Sequence, residues 1–271
     1  MCYDCIGKFI PWPGVWHACY RNSHIESTVV CGMLLFHRIL KTWENQIDIF
    51  IALTEYSKKL FVSSGFPEEK IVISPNIVEP DPGLKDSPGD YALYVGRLSE
   101  EKGLNTLLNA WNGISHIKLF IVGDGPLSNE LRGRASSQGK KNVILVGRKS
   151  KKEVIDMLKQ ARLLIFPSEW PETFGMSIIE AFACGVPVIA AHQSTTQEIV
   201  NNNVTGFLFE AGNSQDLVDK VLNCWDDLET IKRMGLAARL DYERKYSKKQ
   251  KYASLMKIYK LAIQINESKH S

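Results

Sequence analysis

The chain has 271 residues, 44% of them hydrophobic and 23% charged, with a formal net charge of +3. That supplies core for one large domain or two smaller ones and argues against a nucleic-acid partner, which would call for a concentrated basic face. No apolar run nears the roughly 18 residues of a membrane span, and "MCYDCIGKF" lacks a signal-peptide layout, so a reduced, cytoplasmic protein is expected.

The chain opens on "CYDCIGKFIPWPGVWHACY", where Cys2 and Cys5 form C-x-x-C and His17 and Cys19 follow. Four soft ligands suit tetrahedral zinc; the competing reading is a loop without metal, with Trp12 and Trp16 as packing aromatics or sugar platforms. Cys31, Cys184 and Cys224 sit in apolar helical patterns and read as small buried hydrophobes. Next come a helix at "SHIESTVVCGMLLFHRILKTW", a strand at "DIFIALT", a helix at "EYSKKLFVSSG" closed by Gly65 and a strand at "KIVISPNIV". The prolines and glycines of "EPDPGLKDSPGD" mark a linker.

From about residue 90 short apolar runs, "YALYVGRL", "IKLFIVGDG", "NVILVG", "RLLIFPS" and "VPVIAA", alternate with helical patterns, "EEKGLNTLLNAW", "PLSNELRGRASS", "KKEVIDMLKQA" and "FGMSIIEAFAC". Such alternation predicts βαβ units and a doubly wound α/β domain on a parallel sheet. Ligands of such domains bind beyond the carboxyl ends of the strands. The last stretch, "SKKQKYASLMKIYKLAIQI", predicts a helix with Ser247 as N-cap; its lysines form a solvated face or a membrane-surface one.

The strand-end loops hold the candidate site. In "GRLSEEKG", after Gly96, Arg97 and Lys102 place two cations beside a helix start, suited to a diphosphate. In "VGDGPLSNEL", Gly123 and Gly125 allow a tight turn that lets ligand approach the backbone, with Pro126 as first helical residue. Ser128 stands where the dinucleotide fingerprint needs a third glycine, which disfavours a dehydrogenase. Arg148 follows the third strand. After the fourth, Glu172 lies ahead of a helix and Glu180 about two turns inside it, with Phe174, Gly175 and Met176 spanning its unpaired N–H groups. Carboxylates accept paired hydroxyls, so Glu180 suits a ribose diol and Glu172 the hydroxyls of a sugar. The plainer alternative is that Glu172 favours the helix dipole and Glu180 is partly exposed.

"GRLSEEKG", "VGDGP", "FPSEWPETFGMSIIEAFACGVPVIA" and "TTQEIVNNNVTGFLF", in this order, resemble glycosyltransferase family 4, the retaining nucleotide-sugar enzymes of GT-B fold. The likeness covers roughly residues 70 to 225 and is closest to bacterial enzymes of surface-polysaccharide synthesis. It implies residues 1–78 as a remnant of the acceptor-side domain, 79–246 as a Rossmann-like donor domain, and 247–271 as a helix packing back toward the N-terminal part. It implies that Arg97 and Lys102 stabilise the departing diphosphate, Glu172 contacts the transferred sugar and Glu180 the ribose, with the Phe174–Met176 amides near sugar and phosphate. No metal and no cofactor are implied; the partners are a nucleotide-sugar donor and a saccharide or lipid-linked acceptor, at the inner face of the membrane if the C-terminal helix touches it.

Two departures from the family pattern stand out. Ser194, Thr195 and Thr196 replace glycine ahead of Glu198, which leaves phosphate contacts to hydroxyls and amides. The family's glycine-rich first loop and sugar-positioning histidine would lie upstream of Met1. The functional alternatives are therefore a glycosyltransferase and a donor-binding module with little turnover; a nucleotide-sugar epimerase fits the motif order less well.

Overall fold

The computed structural model describes residues 4–137 and 142–270. The chain divides into two compact units, residues 1–75 with 252–271, and residues 76–251.

The first unit contains α1 (Trp12–Trp16), α2 (His24–Ile39), α3 (Thr42–Gln46), β1 (Phe50–Ala52), α4 (Glu55–Ser63) and β2 (Ile71–Ile73). Ser23 caps α2 by accepting from the Glu26 N–H, and Thr54 caps α4 by accepting from the Ser57 N–H. Gly65, at φ +91°, follows α4 as expected. The strands β1 and β2 pair in parallel over three residues, with Phe50 opposite Ile71.

Of the four expected zinc ligands, Cys5, His17 and Cys19 belong to the first unit. Cys2 lies outside the described residues, and among the described residues no three His, Cys, Asp or Glu side chains gather to hold a metal. His17 Nε2 lies 3.6 Å from Asp4, and the Cys5 and Cys31 thiols both donate to the Pro11 carbonyl, at 3.6 and 3.2 Å. Cys31 is half-buried and not a core residue, whereas Cys184 and Cys224 are buried. Trp12 and Trp16 are exposed.

The second unit contains β3 (Tyr91–Val95), a 3-10 turn (Glu100–Lys102), α5 (Leu104–Ala110), β4 (Lys118–Val122), α6 (Ser128–Ser137), β5 (Val143–Gly147), α7 (Lys151–Gln160), β6 (Leu163–Phe166), α8 (Met176–Ala183), β7 (Val188–Ala191), α9 (Thr196–Ile199), β8 (Gly206–Phe209), α10 (Ser214–Trp225) and α11 (Leu228–Lys245). A long α12 (Lys248–His270) follows, most of it grouped with the first unit. The sheet is parallel, in the order β5-β4-β3-β6-β7-β8. Alternate strand residues Ala92, Leu119, Ile121, Ile165, Ile189 and Phe209 share a core with Leu104, Leu107 and Trp111 of the α5 region and Leu217 and Val221 of α10. Their neighbours Leu93, Leu164 and Val188 point to the opposite face and are equally buried. Two covered faces explain why each strand reads as a continuous apolar run.

Sequence reading falls short in four places. The sixth strand, β8, is only four residues long and begins with a glycine. A methyl at Gly206 would lie 1.9 Å from the Val188 carbonyl oxygen, so only glycine lets β8 close on β7. The helices α10 and α11 lie beyond the expected alternation. The expected "EEKGLNTLLNAW" helix breaks at Gly103 (φ +66°). Pro126 sits in a turn, and α6 begins at Ser128, whose hydroxyl accepts from the Gly125 N–H and donates to Asp124.

Candidate active site

The strand order puts β3 beside β6, so the loops leaving their carboxyl ends are neighbours. Main-chain contacts lock them together. Glu169 N–H donates to the Glu101 carbonyl at 3.0 Å, and a methyl at Gly103 would lie 1.9 Å from the Pro167 carbonyl oxygen. Thr106 donates to the Glu169 carboxylate at 2.5 Å, and Gln193 Nε2 donates to the Glu169 carbonyl at 2.6 Å. Lys102 and Glu172 are thereby placed across a cleft by backbone.

That cleft is a cavity of about 350 Å³ at the carboxyl edge, lined among others by Tyr94, Gly96, Lys102, Glu172, Met176 and Glu180. Phe174 and Ser177 also line it. Another depression, beside Leu84 and Leu236 at Gly185 and Gly235, is lined mainly by linker and α11 residues and not by strand-end loops.

Lys102 Nζ stands 2.8 Å from Glu172 Oε1, with the two side chains 24% and 19% exposed. The approach is an ion-pair contact that misses hydrogen-bond alignment, so this buried carboxylate oxygen keeps an unused acceptor site. The Thr195 hydroxyl donates to the Glu172 carbonyl and fixes the loop from the β7 side. Glu180 sits differently. It lies one turn inside α8 rather than two, because the helix begins only at Met176. It is half-buried, and its carboxylate has no hydrogen-bond or ion-pair partner among the described residues. Burial pushes its carboxyl above the usual range, with Lys151 opposing the shift.

No side chain caps α8, whose N-cap is Gly175. The Met176 and Ser177 N–H groups therefore stay available to a ligand, while the Ile178 N–H is spent on the Gly175 carbonyl at 3.1 Å. A methyl on Gly175 would meet the tip of Ile178 at 2.7 Å, so the glycine also serves packing.

Other expected site residues lie away from the cavity lining. Arg97 is exposed, and its carbonyl accepts from the Tyr94 hydroxyl at 2.8 Å. Gly123 and Gly125 make room for protein: a methyl there would lie 1.8 Å from the Gly96 carbonyl oxygen and 2.5 Å from that of Leu98. Arg148 is exposed, and its charge, with that of Arg132, helps hold Asp124 low after the hydrogen bonds from Ser128 and Gly125. Thr195 and Thr196 are buried and spend their hydroxyls on the carbonyls of Glu172 and Ala191.

Tyr94 is a cavity residue that sequence reading missed. Burial, then the charges of Glu172 and Glu101, push its hydroxyl well above the ordinary tyrosine value. The signal available in "YALYVGRL" was a hydroxyl two residues before the glycine turn, on an otherwise apolar strand. Ser177, directly inside the helix start, was the other.

Comparison with known proteins adds an independent line. Residues 78–241 match the family model "Glycosyl transferases group 1". An uncharacterized glycosyltransferase of Methanocaldococcus jannaschii, MJ1178, is 31% identical over 63% of this chain and 48% of its own length. The O-antigen chain mannosyltransferase C of Escherichia coli is 30% identical over 60% of this chain and 44% of its own. The chain thus spans about half the length of these relatives. The Anabaena protein Alr3699/HepE, solved in complex with UDP-glucose, superposes with a TM-score of 0.67 over 82% of this chain and 63% of that one, at 23% identity, which shows a shared GT-B architecture. With the family model covering more than half of its residues, the chain is a member of the glycosyl transferases group 1 family.

Proposed function

We propose that the chain binds a nucleotide-diphosphate sugar in the β3–β6 cleft and transfers the sugar to a saccharide or lipid-linked acceptor with retention of configuration. The observation that carries this reading is the convergence of Lys102, Glu172, Glu180 and the uncapped start of α8 on one cavity. Each has a fitting partner on such a donor. The Lys102 ammonium and the first-turn amides of α8 meet the diphosphate. The unpartnered Glu180 carboxylate accepts from the ribose hydroxyls, and Glu172 accepts from hydroxyls of the sugar.

Lys102 and Glu172 form an ion pair in which Glu172 Oε1 keeps an acceptor site. A diphosphate competes for Lys102, which releases Glu172 to accept from the sugar, so donor binding exchanges one ion pair for two contacts. As the sugar–phosphate bond breaks, negative charge grows on the diphosphate, and Lys102 with the helix amides stabilises it in place. Arg97, exposed on the loop after β3 and outside the cavity lining, is assigned to the same charge on the sequence resemblance alone. The attacking hydroxyl approaches on the face from which the diphosphate departs. The finer placement in glycosyltransferase family 4 and the independence from divalent metal rest on the sequence resemblance and on this supply of cationic and amide donors.

The test is incubation of the chain with nucleotide sugars, measuring Kd by calorimetry and free nucleoside diphosphate with and without acceptor saccharides. Acceptor-dependent release supports transfer. Tight binding without release would leave only the donor-binding module, and absence of binding to any nucleotide sugar would refute the site.

A further inference from the structure

The helix α12 runs for 23 residues, Lys248–His270, and carries apolar side chains on two separate faces. One face is packed: Leu255 is half-buried, Ile258 is 8% exposed, and Ser254 hydrogen-bonds Ser74 at 3.2 Å. The other consists of Tyr252, Met256, Tyr259 and Ile263, exposed by 68, 38, 57 and 57%. Since successive helical residues turn by ~100°, these four fall within an arc of about 60°. Lys249 and Lys260 lie on the outer side of that arc and Lys257 beyond them, all three exposed and without an ion-pair partner among the described residues. Glu267 is the one acid in the sequence of α12.

We propose that this stripe docks on an anionic lipid surface, with α12 lying in the plane of the headgroups. Three observations fit that occupant together. The stripe holds two tyrosines, whose rings bury while their hydroxyls stay at the headgroup level. The adjacent lysines have stems long enough to lie along the apolar boundary with the ammonium in contact with lipid phosphate. With Glu267 as the one acid of the helix, on the same side as Lys249 but nearer the far end, the lysines leave that side with an excess of positive charge, which complements an anionic leaflet. The apolar stripe of α2, with Ile25, Val29 and Phe36 exposed by 79, 67 and 59%, has no such row of unpaired lysines beside it. No helix among the described residues is long and apolar enough to cross a membrane, so docking in the plane is the geometry open to α12. The proposal is independent of the transfer reaction, since it uses no residue of the cleft.

The experiment is co-sedimentation of the full chain with vesicles of phosphatidylcholine alone and with about one third phosphatidylglycerol. Partition onto the anionic vesicles is expected to be at least about tenfold stronger, to weaken with added salt, and to fall about fivefold for each of Lys249→Ala and Lys260→Ala. A photo-crosslinking amino acid replacing Tyr259 should capture lipid, whereas one replacing Leu261, on the far side of the helix, should not. This readout is internal to folded, bound protein and does not depend on comparing variant stabilities. Equal partition onto neutral vesicles, no partition, or lipid capture from position 261 alone would overturn the proposal. So would a dimer in sedimentation velocity that Tyr259→Glu dissociates, because a second copy would then cover the stripe.

Discussion

Two sets of glycines, one in each unit, have opposite roles. In the second, Gly103, Gly123 and Gly206 stand where an added methyl would lie 1.9, 1.8 and 1.9 Å from a backbone oxygen of another segment. In the first, Gly32 interrupts α2 with nothing within 4 Å of the same position. The second unit has six strands whose loops press backbone on backbone at the carboxyl edge; the first has two strands of three residues each. The difference shows what holds the cleft in shape. Lys102 and Glu172 are opposed because their main chains are in contact on either side of Gly103, and the ion pair follows from that placement.

The largest effect expected from breaking this arrangement is at Gly103. Alanine there must adopt φ +66° and push its methyl into the Pro167 carbonyl. Left-handed strain of roughly 1–2 kcal/mol adds to a clash that only a loop shift relieves, so Gly103→Ala should cost about 3 kcal/mol or more in urea unfolding and should weaken nucleotide-sugar binding as well. Unchanged stability would mean that the two loops are not in contact.

Next in size are the ligand contacts. Hydrogen bonds involving a charged partner are worth about 1.5–3 kcal/mol, so Lys102→Ala and Glu180→Ala should each raise the nucleotide-sugar Kd by roughly 10- to 100-fold in calorimetry. The two should differ in substrate dependence. Loss from Glu180→Ala should be smaller for a 2′-deoxynucleotide donor, which lacks half of the diol, while loss from Lys102→Ala should be the same for both donors. Equal losses would remove the ribose assignment.

The contrast sharpens with a substitution of the opposite sign. Gly32 is in a helix interior with space around it, where alanine gains about 0.5–1 kcal/mol from propensity and from a less flexible unfolded chain. Gly32→Ala should therefore raise the unfolding midpoint of the first unit, and a lower midpoint would show that α2 is packed against something at Gly32.

What the sequence disclosed follows the same division. Five of six strands were readable because burial on both faces makes them unbroken apolar runs, and the placement of Lys102, Glu172 and Glu180 followed from rules of strand-end loops. Contacts between loops left no such mark. Nothing local in "VGDGP" says that its glycines accommodate the backbone of Gly96 and Leu98, and nothing in "STTQE" says that Thr195 and Thr196 turn their hydroxyls to protein carbonyls. The unused alternative for Glu180, partial exposure, was partly right, since it is half-buried, but the feature that matters is its lack of a partner, which only the assembled neighbourhood reveals.

The smallest effect is the most telling about Glu180. Burial disfavours its ionised form, so the folded chain holds this proton more tightly than the unfolded chain does. Below the unfolded pKa, at about pH 4, both states are protonated and the burial penalty is absent. As pH rises through the unfolded and then the folded pKa, the charge must be carried in the half-buried site, and stability falls relative to a neutral residue of the same shape. Glu180→Gln should accordingly melt higher than the parent at pH 7, with the gap closing toward pH 4, while binding nucleotide sugar more weakly. Lys151 opposes the shift but is itself tied to the Glu79 carbonyl at 2.9 Å, so it does not cancel it. A parent that melts higher than Glu180→Gln at pH 7 would mean that the carboxylate has a partner in the free protein. The predicted pair of outcomes, gain in stability with loss of affinity, is what distinguishes an acid kept for a ligand from one kept for the fold.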